Sequence, residues 1–244
     1  MHKIFIVGLP RTGTTSMCQL FLQLNYSVAH TSYSQACIEK AQVIADTPIF
    51  SDFYELNKFF PNSIWIYLHR DFNDWLPSIA LLLKKITQQP ARDLHPLLHR
   101  SLTRVFGDLY SLGFNDEKQQ PAIHEHLHRC YINHYNTVKN TAKTLNKNLL
   151  EFQLTPETTL AQFDNTAANI LSATLKISNF TLKNKTIILA TQKSNSAGKI
   201  NTWNELKHDN KISSHLSGDQ RRHYYDYSPT LAFFDADNKP LNLR

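Results

Sequence analysis

Sulfur is scarce in this chain. Its three cysteines, Cys18, Cys37 and Cys130, are odd in number and never spaced C-x-x-C, which excludes a disulfide framework and a zinc knuckle and leaves reduced thiols in packed helices. The only methionines are Met1 and Met17. Long apolar runs are missing too: the hydrophobic opening, Lys3-Ile4-Phe5-Ile6-Val7, is too short for the core of a signal peptide or for a membrane span. The expected compartment is therefore the cytoplasm, with no membrane anchor; a chain exported by a specialised secretion apparatus would look the same. Repeats and linkers are absent, and 244 residues suit a single domain spanning 1–244.

What remains is ordinary globular material, 41% hydrophobic and 19% charged. A net charge of +6, with the basic residues scattered rather than gathered into one run, suits a small polyanion better than nucleic acid.

Residues 3–8 form an apolar run that predicts a buried parallel strand, followed by a glycine-containing turn and an amphipathic helix over 14–24. Further strands are expected at 42–45, 64–68 and 148–152, and helices at 73–87, 96–112 and 122–145, with another helix starting at 155–157. After about residue 177 the chain is rich in Asn, Lys and Ser and reads as loop until 217–227. The pattern predicts a three-layer α/β/α fold with a mostly parallel central sheet, like that of P-loop NTPases. The helices within about 92–146 would form a lid or an acceptor-side wall. Polar residues follow three of the strands, and in such sheets ligands bind beyond the carboxyl ends.

The most informative stretch is Gly8-Leu9-Pro10-Arg11-Thr12-Gly13-Thr14-Thr15. Amides of such a turn, with a helix N-terminus behind them, hold a phosphate by hydrogen bonding and by the helix dipole. The glycines are spaced as in a Walker A loop, but Thr14 takes the place of the lysine that reaches the β- and γ-phosphates of a nucleoside triphosphate. That argues against an ATPase or kinase. The cation stands earlier, at Arg11.

Pro10-Arg11-Thr12-Gly13-Thr14-Thr15 resembles the 5'-phosphosulfate loop of the sulfotransferase family, and GLPRTGTTS is especially similar to its bacterial branch. The resemblance implies transfer of a sulfuryl group from 3'-phosphoadenosine 5'-phosphosulfate (PAPS) to a hydroxyl or amine, without a metal. It assigns donor binding to Arg11, Thr12, Gly13, Thr14, Thr15 and Ser16, with Arg11 also stabilising charge at the transferring group. Ser16 stands where many members carry a tryptophan that stacks on adenine. Arg70 and Ser78, eight residues apart, match the family's 3'-phosphate pair; a permanent planar cation and a small hydroxyl suit that group. Asp46, before Thr47-Pro48, stands where the family carries its catalytic base, with His30 as the rival. Ser196 to Trp203 is similar to a loop that closes over the 3'-phosphate, with Lys199 or Lys193 standing in for the missing basic pair. Sugars, lipids, phenols, small metabolites and protein side chains all fit as acceptors.

Two other functions compete. A non-catalytic nucleotide-binding protein would keep the loop and lack a working base. A zinc peptidase is suggested by His124-Glu125-His126-Leu127-His128, an H-E-x-x-H pattern with His134 at the spacing of a third ligand. Tyr131 replaces the glycine that would break the helix, so His134 should lie about 240° around the axis from His128 at ~100° per residue. No methionine follows to form a Met-turn. The segment is expected to be a polar helix face.

Overall fold

Side chains alternate between two buried faces along the central strands, and this sets the layers. A computed structural model describes residues 3–114, 116–153, 203–214 and 224–225. In it β1 (Ile4–Ile6), β2 (Val28–Ala29), β3 (Val43–Ala45), β4 (Ile64–His69) and β5 (Leu149–Gln153) form one sheet in the order β2-β3-β1-β4-β5. Every pairing is parallel. Ile4 and Ile6 point to one face, where α1 (Thr14–Gln23) covers them with Met17, Leu20 and Phe21. Phe5, Val7, Trp65 and Tyr67 point to the other face. That side is covered by α2 (Gln35–Lys40), α3 (Ile49–Phe59), α4 (Phe72–Thr87), α5 (Pro96–Phe106) and α6 (Gln120–Thr144). The result is the three-layer α/β/α arrangement that the strand pattern predicts.

Most expected elements fall within a residue or two of their predicted bounds. The helix predicted for 96–112 is shorter, because Gly107 adopts φ 73° and ends α5 at Phe106. One strand and two α-helices have no counterpart in the sequence pattern: β2 is two residues long, α2 six, and α3 follows directly on Pro48. The first two are too short for a periodic signal. Helices α5 and α6 share the core of the sheet's second face through Leu102, Phe106, Leu127 and Val138. The proposed helix start at 155–157 lies outside the described residues.

A buried charge cluster joins α3 to α5. Asp52 and Glu55 are fully buried; Arg104 meets Asp52 Oδ1 at 3.0 Å and both oxygens of Glu55 at 3.0 and 2.7 Å. Arg100 also pairs with Asp52.

Candidate functional site

Strand β1 lies between β3 and β4, and the chain runs from β1 to the β2-β3 side before crossing to β4 and β5. The loop after β1 therefore stands at the switch point of the sheet, where flanking connections diverge and leave a crevice. Gly8 begins it. A Cβ there would lie 3.0 Å from both the Leu68 amide nitrogen and Thr12 Oγ1, so only glycine lets the loop pass this close to β4.

The loop's carbonyls are tied down one after another. Thr12 Oγ1 donates to the Leu9 carbonyl at 2.7 Å, Trp75 Nε1 to Pro10 at 2.8 Å and an Arg70 guanidinium nitrogen to Arg11 at 2.8 Å. Arg11 and Gly13 adopt left-handed φ of 70° and 100°. Gly13 caps α1, and no side-chain hydrogen bond caps that helix among the described residues. The first-turn amides of Thr14, Thr15 and Ser16 have no carbonyl of their own helix to bind. Bound carbonyls, open amides and a positive helix end make a receptor for an anion.

The β4-α4 side adds Arg70 and Ser78 to the Arg11 of the loop. Arg11 Nε donates to Ser78 Oγ at 2.8 Å, and Arg70 is itself placed by Tyr131, whose hydroxyl donates to the Arg70 carbonyl at 2.6 Å. Asp71 caps α4 by accepting from the Asn73 amide at 2.8 Å, which fixes the turn between Arg70 and Ser78. Arg11, Arg70 and Ser78, distant in sequence, thus form one cluster. Burial chiefly, and the Arg11 charge to a lesser degree, push the Arg70 pKa down against the opposing pull of Asp74. Beside Arg70 an open cavity of about 520 Å³ is lined by His69, Phe72, Tyr131, Glu151 and Gln153.

The opposite flank carries the acid-base groups. Asp46 leaves β3 at φ 52°, and His30 leaves β2. Parallel pairing of Ala29 with Ile44 puts these two strand ends side by side. His30 Nε2 lies 3.7 Å from Asp46 Oδ2, 3.1 Å from Thr14 Oγ1 and 3.0 Å from Thr15 Oγ1. Burial raises the Asp46 pKa above the ordinary carboxylate value, although His30, the Thr47 amide and Arg11 pull it down. Burial lowers the His30 pKa, and Asp46 opposes that shift.

Trp203 stacks on His30, ring centroids 5.5 Å apart, and Lys211 Nζ lies 5.0 Å from the Trp203 ring centroid while donating to the Trp203 carbonyl at 2.6 Å. The sequence placed Trp203 only at the end of a closing loop. Its contact with His30 joins residues 173 positions apart in the chain, which no local pattern could reveal. Lys193 and Lys199 lie outside the described residues.

The histidine cluster on α6 divides. His124 and His128 are exposed and set edge-to-face against Phe72. His126 is buried against the Phe106 carbonyl at 2.8 Å, and His134 against the Phe50 carbonyl at 2.8 Å. α6 runs without a break through Tyr131, so His134 does not join His124 and His128. Among the described residues no three His, Cys, Asp or Glu side chains gather as a metal site. No described helix is long and apolar enough to cross a membrane.

A parallel α/β sheet with a cation-backed amide loop beyond its central strand is an arrangement able to hold an anionic group at that point. A family model described as a sulfotransferase domain matches residues 3–36 and 31–157, more than half of the chain, and the chain belongs to that family. No curated protein gives a significant match.

Proposed function

We propose that this sulfotransferase-family protein takes its sulfuryl group from PAPS and passes it to a hydroxyl or amine of a small molecule, glycan, lipid or protein side chain. The observation that carries this reading is the junction at Arg11: one residue links the amide loop to Ser78 and Arg70 on the β4 side, while Asp46 stands on the β3 side. The donor set fits a ligand with separate 5' and 3' anionic groups, because it offers two permanent cations and several hydroxyls around one helix N-terminus.

When bound, PAPS supplies a sulfuryl group activated by a phosphate leaving group. The amides of Thr14, Thr15 and Ser16 and the hydroxyls of Thr14 and Thr15 hold the 5' end. Arg11 neutralises charge without giving up a proton, since a guanidinium is a poor acid. Ser78 accepts from Arg11 and so keeps its own hydroxyl hydrogen for a 3'-phosphate, together with Arg70. The family's adenine-stacking tryptophan is absent, and Phe72 and Tyr131 in the cavity beside Arg70 offer ring surface instead. Asp46 removes the acceptor's proton; burial raises its proton affinity and makes it a better base than an exposed aspartate.

Calorimetry with 3'-phosphoadenosine 5'-phosphate (PAP) and with ATP tests the donor. PAP should bind well and ATP poorly, because Thr14 replaces the lysine that triphosphates need. Removing the 3'-phosphate should cost about 1.5 to 3 kcal/mol, the usual range for charged hydrogen bonds. Equal affinity for PAP and ATP would sink the assignment.

A second measurement concerns α6. Glu125 is exposed and pairs only loosely with Arg129 at 3.7 Å, so Glu125→Gln should leave sulfuryl transfer unchanged. Purified protein should hold no stoichiometric zinc; one equivalent that disappears in His128→Ala would overturn this expectation.

A further inference from the structure

His30 has no part in the steps above, yet its Nε2 faces three oxygens, Thr14 Oγ1 at 3.1 Å, Thr15 Oγ1 at 3.0 Å and Asp46 Oδ2 at 3.7 Å. Its protonation decides where the threonine hydrogens point. A bare Nε2 offers one lone pair to Thr14 and Thr15, which draws their hydroxyl hydrogens toward the ring and away from the loop. A protonated Nε2 donates, so at least one hydroxyl becomes an acceptor from the ring and can turn its hydrogen to an anion. The neutral tautomer with its hydrogen on Nε2 would do this too. A nearby anion and the Asp46 carboxylate, however, favour a full positive charge over a mere shift of tautomer.

Without an anion on the loop, the surroundings favour the neutral ring. Burial is the largest influence on His30 and lowers its pKa; Arg11 from the loop and Lys211 beside Trp203 lower it further, and only Asp46 raises it. The Trp203 ring, stacked at 5.5 Å, covers one face. An anion on the loop neutralises Arg11 and adds negative charge on the Thr14 and Thr15 side, which reverses the balance.

We propose that His30 is a positioning residue of the donor loop: it takes up a proton as the phosphosulfate end of the donor binds, and so turns the Thr14 and Thr15 hydroxyls onto the anion. This rests on the loop being the PAPS site. The proton comes from solvent, and no covalent bond changes.

The test is calorimetry of PAP binding near pH 7 in two buffers of different ionisation enthalpy. Wild-type protein should take up close to one proton per PAP, and its affinity should fall toward tenfold per pH unit on the alkaline side. A phosphate monoester drawn to cations releases protons instead, so the sign separates the ring from the ligand. His30→Gln, whose side-chain amide donates at every pH, should bind PAP with no uptake and a flat pH profile. PAP binding without uptake, or uptake that persists in His30→Gln, overturns this role and leaves the donor assignment standing. Failure of PAP to bind at any pH sinks both. Should His30→Gln not fold, nitrogen NMR of the wild-type histidine rings decides: one ring must become protonated when PAP is added at constant pH, and none doing so overturns the proposal.

Discussion

Asp46→Asn should lower turnover by about 10² to 10⁴, the range that follows loss of a general base, and should leave donor affinity nearly unchanged. Asparagine keeps the size of the side chain and can still hydrogen-bond at the Asp46 turn, but it cannot take a proton. Because burial lifts the Asp46 pKa, wild-type turnover should decline as pH falls through a point above the ordinary aspartate value of about 3.9. Protonation removes the base, so activity lies on the alkaline side of that point, and Asp46→Asn should lose this limb of the profile. Arg11→Ala provides the contrast: its charge touches ground state and transition state alike, so both donor affinity and turnover should drop. Wild-type turnover in Asp46→Asn would transfer the base to His30, 3.7 Å away. Donor binding with no turnover in the wild type, whatever acceptor is offered, would instead identify a nucleotide-binding protein without catalysis.

The parts of the site that were legible in the sequence are those that act through consecutive residues. The β1-α1 loop presents neighbouring amides, so its chemistry is written in one stretch, Gly8 to Ser16. Arg70 and Ser78 were recoverable because a strand end, a cap at Asp71 and two helical turns fix their separation. Convergence was not. His30 reaches Asp46 only because the two-residue β2 pairs with β3, and a strand that short leaves no alternation to read. Arg11 is held to Ser78 across 67 positions, a contact that needs β1 and β4 to be neighbours. The α6 histidines show the reverse case: a dense local pattern suggested a metal site, but a continuous helix distributes the rings between solvent, Phe72 and two backbone carbonyls. Spacing along a helix fixes a face, and the partner of that face is set by the fold.

The α3-α5 cluster carries the largest expected effect on stability. Arg100 and Arg104 stand four apart on α5 and share a helix face, and Asp52, at a kink in α3 (φ −111°), and Glu55 three residues on both reach Arg104. Arg104 is the hub, with hydrogen bonds to Asp52 and to both oxygens of Glu55, and only 4% of its side chain is exposed. Arg104→Met keeps much of the side chain's apolar length and removes the charge. Asp52 retains its pairing with Arg100, so the cost falls mainly on Glu55, a fully buried carboxylate that loses both of its bonds to Arg104. Removing one partner of a buried ion pair costs about 3 to 5 kcal/mol, which urea denaturation resolves as a lower midpoint with an unchanged slope. Arg100→Met should cost less, because the Arg100 side chain is 30% exposed and water already screens part of its charge. The cluster begins at Asp52, four residues beyond the Pro48 carbonyl that accepts from the Asp52 amide at 2.8 Å. Loosening it should therefore disturb the turn that presents Asp46, and donor affinity, which we assign to the β1-α1 loop and the β4 side, should suffer less than turnover. A loss below about 1 kcal/mol in Arg104→Met would mean that the buried charges are compensated elsewhere and that Arg104 is not the hub.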